Sequence, residues 1–304
     1  MKSETINHSR LFAGLFICCL LIAVPASGED VHNHAQHGQA GQMHSHDTDD
    51  ASPVVIQIDT GARPLVAGQP ADISFEIKDK QGKAAEDLTI THERLLHVII
   101  VSEDFSSFAH IHPEDLGPIT DKMKKDARFL VQYTFPRAGR YLVAVDTAFR
   151  GDYVSKQFHV TVEGEPKAGV ATSDFSRKKS FGEYVVSLKT EPGEIRAGEN
   201  CRLLYEITRN GEPVRDLGRY LGVPMHLAVV KTDLDRFVHA HGDVPGAAHD
   251  HMHMHAGHVH GDTDKFGPEI ESDVVFPVKG TYKIFSQVRH NGKVEVFDFM
   301  VQVQ

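Results

Sequence analysis

The feature that most constrains how this chain can fold is a histidine-bearing segment that occurs twice. The first copy spans residues 95–113 (LLHVIIVSEDFSSFAHIHP) and the second spans residues 224–242 (PMHLAVVKTDLDRFVHAHG). Three histidines keep the same spacing in both copies, with every position shifted by 129. Because histidine is a rare residue and the copies have otherwise diverged, this spacing indicates one structural unit used twice for one purpose. The matched positions are His97 and His226, His110 and His239, and His112 and His241.

Each copy predicts a β-hairpin. The run LLHVIIV is apolar and β-branched like a buried strand, SEDFSS is a polar turn, and FAHIH is the returning strand. Side chains alternate along a strand, so His110 and His112 share a face. A turn centred near Asp104 and Phe105 pairs residues whose numbers add to about 209, which sets His97 opposite His112. Each hairpin is therefore predicted to bring three imidazoles within reach of one metal ion, at about 2.0 Å from each nitrogen.

The duplication extends over two whole domains. Matched residues after the hairpins, such as Tyr141 and Tyr282, are 141 positions apart, so the second copy carries 12 extra residues (141 − 129). Short strands separated by turns rich in Gly, Pro and Asp predict an all-β fold of two tandem immunoglobulin-like β-sandwich domains. The predicted order is a signal peptide (1–28), a disordered His-rich arm (29–52), repeat 1 (53–163), a linker (164–180) and repeat 2 (181–304).

The N-terminal residues predict export. Lys2 and Arg10 precede an apolar run of 14 residues, and VPASG follows it with small residues suited to cleavage. The run is shorter than the roughly 20 residues that span a membrane, so we expect a periplasmic or secreted protein. Cleavage would remove Cys18 and Cys19 and leave Cys201, which excludes an internal disulfide and a thiolate cluster. The net charge of −10 argues against nucleic acid and suits a protein that gathers cations.

Two further segments concentrate histidine. The arm over 29–52 has no apolar periodicity and is predicted to capture metal loosely, with a plain solvated linker as the alternative. The insertion over 249–260 has the highest density of candidate metal ligands in the chain. The alternative is a polar loop whose composition has drifted. Imidazole suits copper, zinc and nickel, whereas the thioether of methionine favours Cu(I). The candidate ligands in the insertion are His249, His251, Met252, His253, Met254, His255, His258 and His260.

Several other residues are candidate ligands or core residues. His159 aligns with Met300 in the last strand of each copy, and either could supply a fourth ligand. His92 and His290 lack a histidine partner in the other copy and are predicted to lie at the surface. Cys201 is predicted to be a small buried strand residue.

The run HVIIVSEDFSSFAHIHPE resembles the signature of small exported β-sandwich modules of the YtkA/FixH-like kind. This resemblance implies an association with copper handling. The second copy departs from the pattern at Gly242, where the first has Pro113. Carried over residue by residue, the resemblance implies metal ligation by His97, His110, His112, His226, His239 and His241.

These observations predict an exported metal-binding protein that sequesters or delivers copper, as Cu(I) or Cu(II), without catalytic turnover. The expected partners are the metal ion and a membrane metal transporter or another exported metal protein, with no nucleic acid and no small-molecule substrate. A zinc or nickel protein of the same design is the alternative within this class.

Proteins of other classes would need different residues. A cupredoxin needs a cysteine beside its histidines, and neither hairpin has one. A zinc hydrolase needs a general base, but Glu103 aligns with Thr232 and no motif supports Glu114. An adhesion or assembly module with incidental histidines remains open. So does a structural role in which the imidazoles cap the hairpin turns through Asp104 and Asp233.

Overall fold

The computed structural model describes residues 52–165, 173–246 and 264–304. The predicted signal peptide, all of the arm except Ser52, and the insertion over 249–260 lie outside these residues. Within them the chain is almost entirely β-structure, as predicted, and forms two immunoglobulin-like β-sandwiches in tandem. None of the described helices is long and apolar enough to cross a membrane.

The first sandwich packs a three-stranded sheet against a larger sheet that carries the first hairpin. Its strands are β1 (Val54–Asp59), β2 (Leu65–Val66), β3 (Pro70–Asp79), β4 (Leu88–Thr89), β5 (His97–Ser102), β6 (Phe108–Ile111), β7 (Arg128–Thr134), β8 (Gly139–Phe149) and β9 (Asp152–Glu163), with a 3-10 turn at Pro113–Leu116 and a short helix α1 at Asp121–Asp126. The sheet orders are β1-β3-β7 and β2-β9-β8-β5-β6, with β4 beside β8. Alternation along β3 buries Ile73, Phe75 and Ile77 in the core between the sheets.

The second sandwich repeats this plan. Its strands are β10 (Lys178–Phe181), β11 (Tyr184–Glu191), β12 (Asn200–Arg209), β13 (Glu212–Pro213), β14 (Met225–Lys231), β15 (Phe237–Gly242), β16 (Glu269–Val275), β17 (Gly280–His290) and β18 (Lys293–Val303). One sheet is β10-β11-β12-β13 with β16 beside β12, and the other is β15-β14-β17-β18. Tyr205, Phe276 and Phe299 are fully buried in the core between them.

The hairpin strand β5 is buried on both faces, for two different reasons. Val98 and Ile100 belong to the core of their own sandwich. Ile99 and Val101 point the other way and join an apolar cluster that is shared with the second repeat. The strand is therefore buried, as predicted, but its second face is covered by the other repeat. The shared cluster also contains Leu142, Ala144, Ala228, Val230, Leu234, Phe237 and Phe285.

The two hairpin-bearing sheets therefore pack face to face. Phe108 stacks on Phe285, with ring centroids 4.4 Å apart and an interplanar angle of 10°. His159, considered above as a fourth ligand, crosses the same interface and donates from Nε2 to the carbonyl oxygen of Leu234 at 2.9 Å. Its counterpart Met300 lies in β18, which β17 separates from the hairpin strand β14.

Candidate metal centre

The hairpin histidines all lie on the faces that meet between the repeats. The pairs observed in the first hairpin, such as Ile99 with His110, have numbers that add to 209, as predicted. In the second hairpin His226 lies directly opposite His241. Paired residues point to the same side of a sheet, so each hairpin presents its histidines beside the shared apolar cluster. The strand register thus brings both triads to one interface.

The two triads form one cluster rather than two separate ones. In repeat 1 the ring centroids of His97 and His110 are 5.3 Å apart, and in repeat 2 those of His226 and His239 are 5.4 Å apart. Distances between the repeats are equally short, 5.3 Å from His97 to His239 and 5.5 Å from His110 to His226. With a seventh member described next, we call this cluster the histidine centre: His92, His97, His110, His112, His226, His239 and His241.

His92 reaches the centre from a tight turn. It has φ of 48° and is followed by Glu93 with φ of 64°, and backbone bonds between Thr91 and Arg94 close the turn. Its ring centroid lies 3.7 Å from that of His241. The prediction that His92 lies at the surface was wrong, because its neighbour comes from the other repeat. No spacing signal within repeat 1 could have revealed that contact.

His290 was also predicted to be a surface residue, and it is buried. Its Nδ1 lies 2.7 Å from the hydroxyl of Tyr184, and its Nε2 lies 3.0 Å from a carboxylate oxygen of Asp216. These contacts tie β17 to its surroundings inside the second repeat. His290 therefore has a structural role and does not belong to the histidine centre.

In repeat 1, hydrogen-bond acceptors determine which nitrogen of each imidazole carries the proton. His97 donates from Nε2 to the carbonyl oxygen of Thr91 at 3.0 Å, which leaves a lone pair on its Nδ1. His110 donates from Nδ1 to Oε1 of Gln287 at 2.8 Å, which leaves a lone pair on its Nε2. Gln287 belongs to the second repeat, so the orientation of His110 depends on the interface.

Repeat 2 makes the same arrangement with different side chains. His226 donates from Nε2 to the carbonyl oxygen of Leu221 at 3.3 Å. His239 donates from Nδ1 to a carboxylate oxygen of Asp146, in the first repeat, at 2.8 Å. Asp146 and Gln287 occupy matching positions, 141 residues apart, so each repeat orients one histidine of the other. Metal-bound histidines characteristically carry such a partner on the second ring nitrogen.

As a result, two unprotonated ring nitrogens face each other in each hairpin. Nδ1 of His97 lies 3.0 Å from Nε2 of His110, and Nδ1 of His226 lies 3.1 Å from Nε2 of His239. In both pairs the proton of each ring is already directed to another acceptor, so neither contact is a hydrogen bond between neutral rings. Two nitrogens at this separation suit an ion bound about 2.0–2.1 Å from each, with an angle of roughly 90–100° at the metal.

The third histidine of each hairpin also offers a nitrogen. Nε2 of His112 and Nε2 of His241 are buried and have no hydrogen-bond partner within the described residues. The other ring nitrogen of His112, Nδ1, lies 3.3 Å from the carboxylate of Asp115. Burying a polar nitrogen without a partner costs free energy, which a bound metal ion would offset.

Burial keeps six imidazoles of the centre neutral. It lowers the pKa of His92 to about 3, of His97 to about 4 and of His112 to about 2, and the neighbouring imidazoles lower these values further. A proton is therefore not taken up between Nδ1 of His97 and Nε2 of His110 at neutral pH, and these two rings are in the protonation state that binds metal. Burial also holds the pKa well below its usual range at His110, His226 and His241.

Two groups of three nitrogens are compact enough to hold an ion. Within each group, all three ring nitrogens lie within 4.8 Å of one another. Each group mixes histidines from both repeats, so neither coincides with a predicted hairpin triad. The groups are His97, His110 and His239, and His92, His226 and His241.

A cavity borders the histidine centre on one side. It is lined in part by His92, His239, Asp146, Tyr153 and Ser155. Tyr153 is 46% exposed, so the cavity lies close to the protein surface. The second carboxylate oxygen of Asp146 and the Ser155 hydroxyl are buried without hydrogen-bond partners in the described part of the chain. The cavity therefore places a buried carboxylate oxygen and a hydroxyl beside the imidazoles, near the protein surface.

The hairpin turns do not use the histidines. Asp104 accepts hydrogen bonds from Ser102 Oγ at 2.6 Å and from the backbone N–H of Ser106 at 3.0 Å. Asp233 accepts from Lys231 and from the backbone N–H of Asp235. The carboxylates thus stabilise their own turns, and the alternative in which the imidazoles cap them was wrong.

The structure brings together the six predicted hairpin histidines and adds His92. The other eight predicted ligands lie in the insertion, outside the described residues, and remain predictions. Cys201 is a buried strand residue, as expected.

The sequence matches one family model twice. The model, described as "Domain of unknown function (DUF8832)", covers residues 48–164 and again residues 179–304. The matched family is not the YtkA/FixH-like one, so that resemblance and its copper association remain predictions. None of the curated proteins compared with the chain matches it.

Solved structures that match the chain include two bacterial adhesins and a bacterial alpha-2-macroglobulin. The Yersinia pseudotuberculosis adhesin InvE is 8% identical, with 82% of this chain and 58% of that chain covered and a TM-score of 0.24. The Escherichia coli adhesin FdeC is 13% identical, with coverage of 82% and 64% and a TM-score of 0.23. Alpha-2-macroglobulin of E. coli is 11% identical, with coverage of 83% and 17% and a TM-score of 0.26. The chain spans less than two thirds of each of these proteins.

Proposed function

This chain belongs to the domain family of unknown function DUF8832, which it carries twice, and we propose that the paired copies bind transition-metal ions, with copper as the physiological metal. The proposal rests on two contacts between unprotonated ring nitrogens. Nδ1 of His97 lies 3.0 Å from Nε2 of His110, and Nδ1 of His226 lies 3.1 Å from Nε2 of His239. Such contacts are repulsive until a cation lies between or beside the nitrogens. A proton is a poor candidate because burial lowers the pKa of His97, His110 and His226.

The chemistry of the ligands limits which metals can be bound. Neutral imidazole binds copper, zinc and nickel well, and binds magnesium and calcium poorly. Met252 and Met254, which alternate with histidines in the insertion, favour Cu(I). Copper therefore accounts for both the imidazoles of the centre and the thioethers of the insertion. Zinc or nickel is the second candidate and would leave the methionines without a role.

The proposed task is sequestration or delivery outside the cytoplasm, without catalytic turnover. The signal-like N-terminus supports export. The His-rich arm and the insertion would raise the local metal concentration near the centre, an effective-concentration effect that adds little selectivity. The partner that exchanges metal would be a membrane transporter or another exported metal protein.

A structural or adhesion module is the alternative from another class. It requires histidines that are incidental to function. The reciprocal bonds from His110 to Gln287 and from His239 to Asp146 favour the metal proposal, because they orient two imidazoles across the interface. An adhesion module would fold and act equally well without metal.

The proposal is tested by metal titration of the full chain. Histidines and methionines in segments 29–52 and 249–260 are replaced by Gln, so that only the centre remains. Cu(I), Cu(II), zinc and nickel are each competed against a chelator of known affinity. We expect tight binding of one copper state, and its loss when His97→Gln and His226→Gln are added. Unchanged binding in that second variant would contradict the proposal.

The carboxylate of Asp146 should strengthen metal binding. Its charge makes the opposite nitrogen of His239 a better donor, as carboxylate partners do for metal-bound histidines. We expect Asp146→Asn to weaken copper affinity by roughly 10–100-fold, measured by chelator competition. Gln287 is the corresponding partner of His110, so Gln287→Glu makes the opposite change by adding a carboxylate there. This substitution should tighten copper binding. Weakening by both substitutions would point to disturbed packing instead.

A further inference from the structure

We infer that the histidine centre holds two metal ions, in two ligand sets that each draw on both repeats. This inference rests on the proposed function and adds the number of ions and the division of ligands. Seven imidazoles exceed what one ion in a tetrahedral site accepts, which is four. The two compact groups share no residue, so they can be filled at the same time.

The two sets are reciprocal. The first takes two imidazoles from repeat 1 and His239 from repeat 2, and the second takes two from repeat 2 and His92 from repeat 1. The sets meet where Nδ1 of His226 lies 3.1 Å from Nε2 of His239. These two nitrogens cannot share a hydrogen bond as neutral rings, and two ions would direct each lone pair to its own metal. The ions would be close neighbours, as in other two-metal sites.

The two sites are not equivalent. His112 lies beside the first set, with its ring centroid 4.6 Å from that of His110, and its Nε2 has no partner in the described residues. His112 is not part of the compact group, but a shift of its ring toward the first set would give that ion a fourth imidazole, which is the pattern of a closed structural site. The second set has three imidazoles. Two imidazoles of each set line the cavity, His97 and His239 in the first set and His92 and His241 in the second. The second ion would keep an open position for an incoming ligand.

One sequence difference between the repeats also distinguishes the two sets. The position that matches His92 in repeat 2 is Leu221, 129 residues later, which has φ of 52° in an equivalent turn. Repeat 1 thus supplies His92 to the second set, whereas repeat 2 has no histidine at the matching position to supply to the first set. We assign the closed site to retention of metal and the open site to its exchange with a partner.

The deciding variant is His92→Asn. Asparagine tolerates the positive φ of this turn position, so the change removes a ligand without straining the backbone. The parent is the full chain with the Gln replacements in 29–52 and 249–260. Bound copper per chain is counted by elemental analysis after gel filtration, following loading with Cu(I) or with Cu(II). We expect two ions in the parent and one in His92→Asn.

A second readout reports whether the ions are neighbours. The Cu(II)-loaded parent should show magnetic coupling by electron paramagnetic resonance, as reduced signal intensity or a half-field transition. His92→Asn should show the spectrum of an isolated ion. His159→Asn is the matched control, because His159 lies in the same interface but bonds a backbone carbonyl, and it should retain two ions.

The outcomes separate the two proposals. One ion per parent chain with either copper state would overturn the inference and leave the proposed function standing. Two ions retained in His92→Asn would overturn the crossed ligand sets, as would two uncoupled Cu(II) ions in the parent. No tight copper binding by the parent would overturn the proposed function itself.

Discussion

Between about pH 6.5 and pH 4, the metal-free protein should lose folding stability steeply. Six histidines of the centre have a pKa lowered by burial from the ordinary value of 6.5, three of them to about 4 or less. The unfolded chain takes up protons on these residues near pH 6.5, whereas the folded chain does not until far lower pH. Falling pH therefore favours the unfolded state throughout this window and has no such effect above it.

The expected effect is large. Each such histidine contributes up to about 1.4 kcal/mol per pH unit, and typical domains have only about 5–15 kcal/mol of stability. The free energy of unfolding should be measured by urea titration at several pH values, followed by far-UV circular dichroism because the chain has no tryptophan. His110→Gln with His226→Gln removes two of the six groups and should reduce the slope by about a third. A flat profile from pH 6.5 to pH 4 would contradict the neutral, buried state of the centre.

Saturating copper should raise the free energy of unfolding at pH 7 by about 4 kcal/mol for each ion held at 1,000 times its Kd. The unfolded chain does not bring together the histidine side chains that lie between His92 and His241 in the sequence, so the ion binds the folded state preferentially. Copper should also move the acid transition to lower pH, because protons must then compete with the metal for the same nitrogens.

The measurement is urea unfolding with and without copper, with reversal by a chelator. The chain should again carry the Gln replacements in 29–52 and 249–260, since binding by unfolded His-rich segments would reduce the effect. His97→Gln with His226→Gln is the control and should show no stabilisation. Equal stabilisation in that control would mean that copper acts elsewhere on the chain.

The hairpin register was predictable from local sequence. Strand alternation and the turn at Asp104 determine which residues face each other, and these are short-range properties of the chain. The duplicated spacing identified six of the seven histidines of the centre, because both copies place their histidines on the same face of the same strand. The β-sandwich class followed from the short strands and the turn residues between them.

His92 and the grouping of the ligands were not predictable in this way. A histidine in a turn, with no counterpart in the other copy, carries no periodic signal. Its contact with His241 crosses 149 residues of sequence and depends on how the repeats pack. The same holds for Asp146 and Gln287, whose roles arise only from facing a histidine of the other repeat.

The sequence by itself thus determined the two sandwiches, their hairpins and the face on which each triad lies, since strand pairing and side-chain alternation follow from local chemistry. Only the tertiary structure decided that the two faces meet, because that contact comes from burying Ile99, Val101, Ala228 and Phe285 against one another. Apolar burial is non-directional and carries no local sequence signal for its partner. That packing turned two predicted hairpin sites into one shared histidine centre.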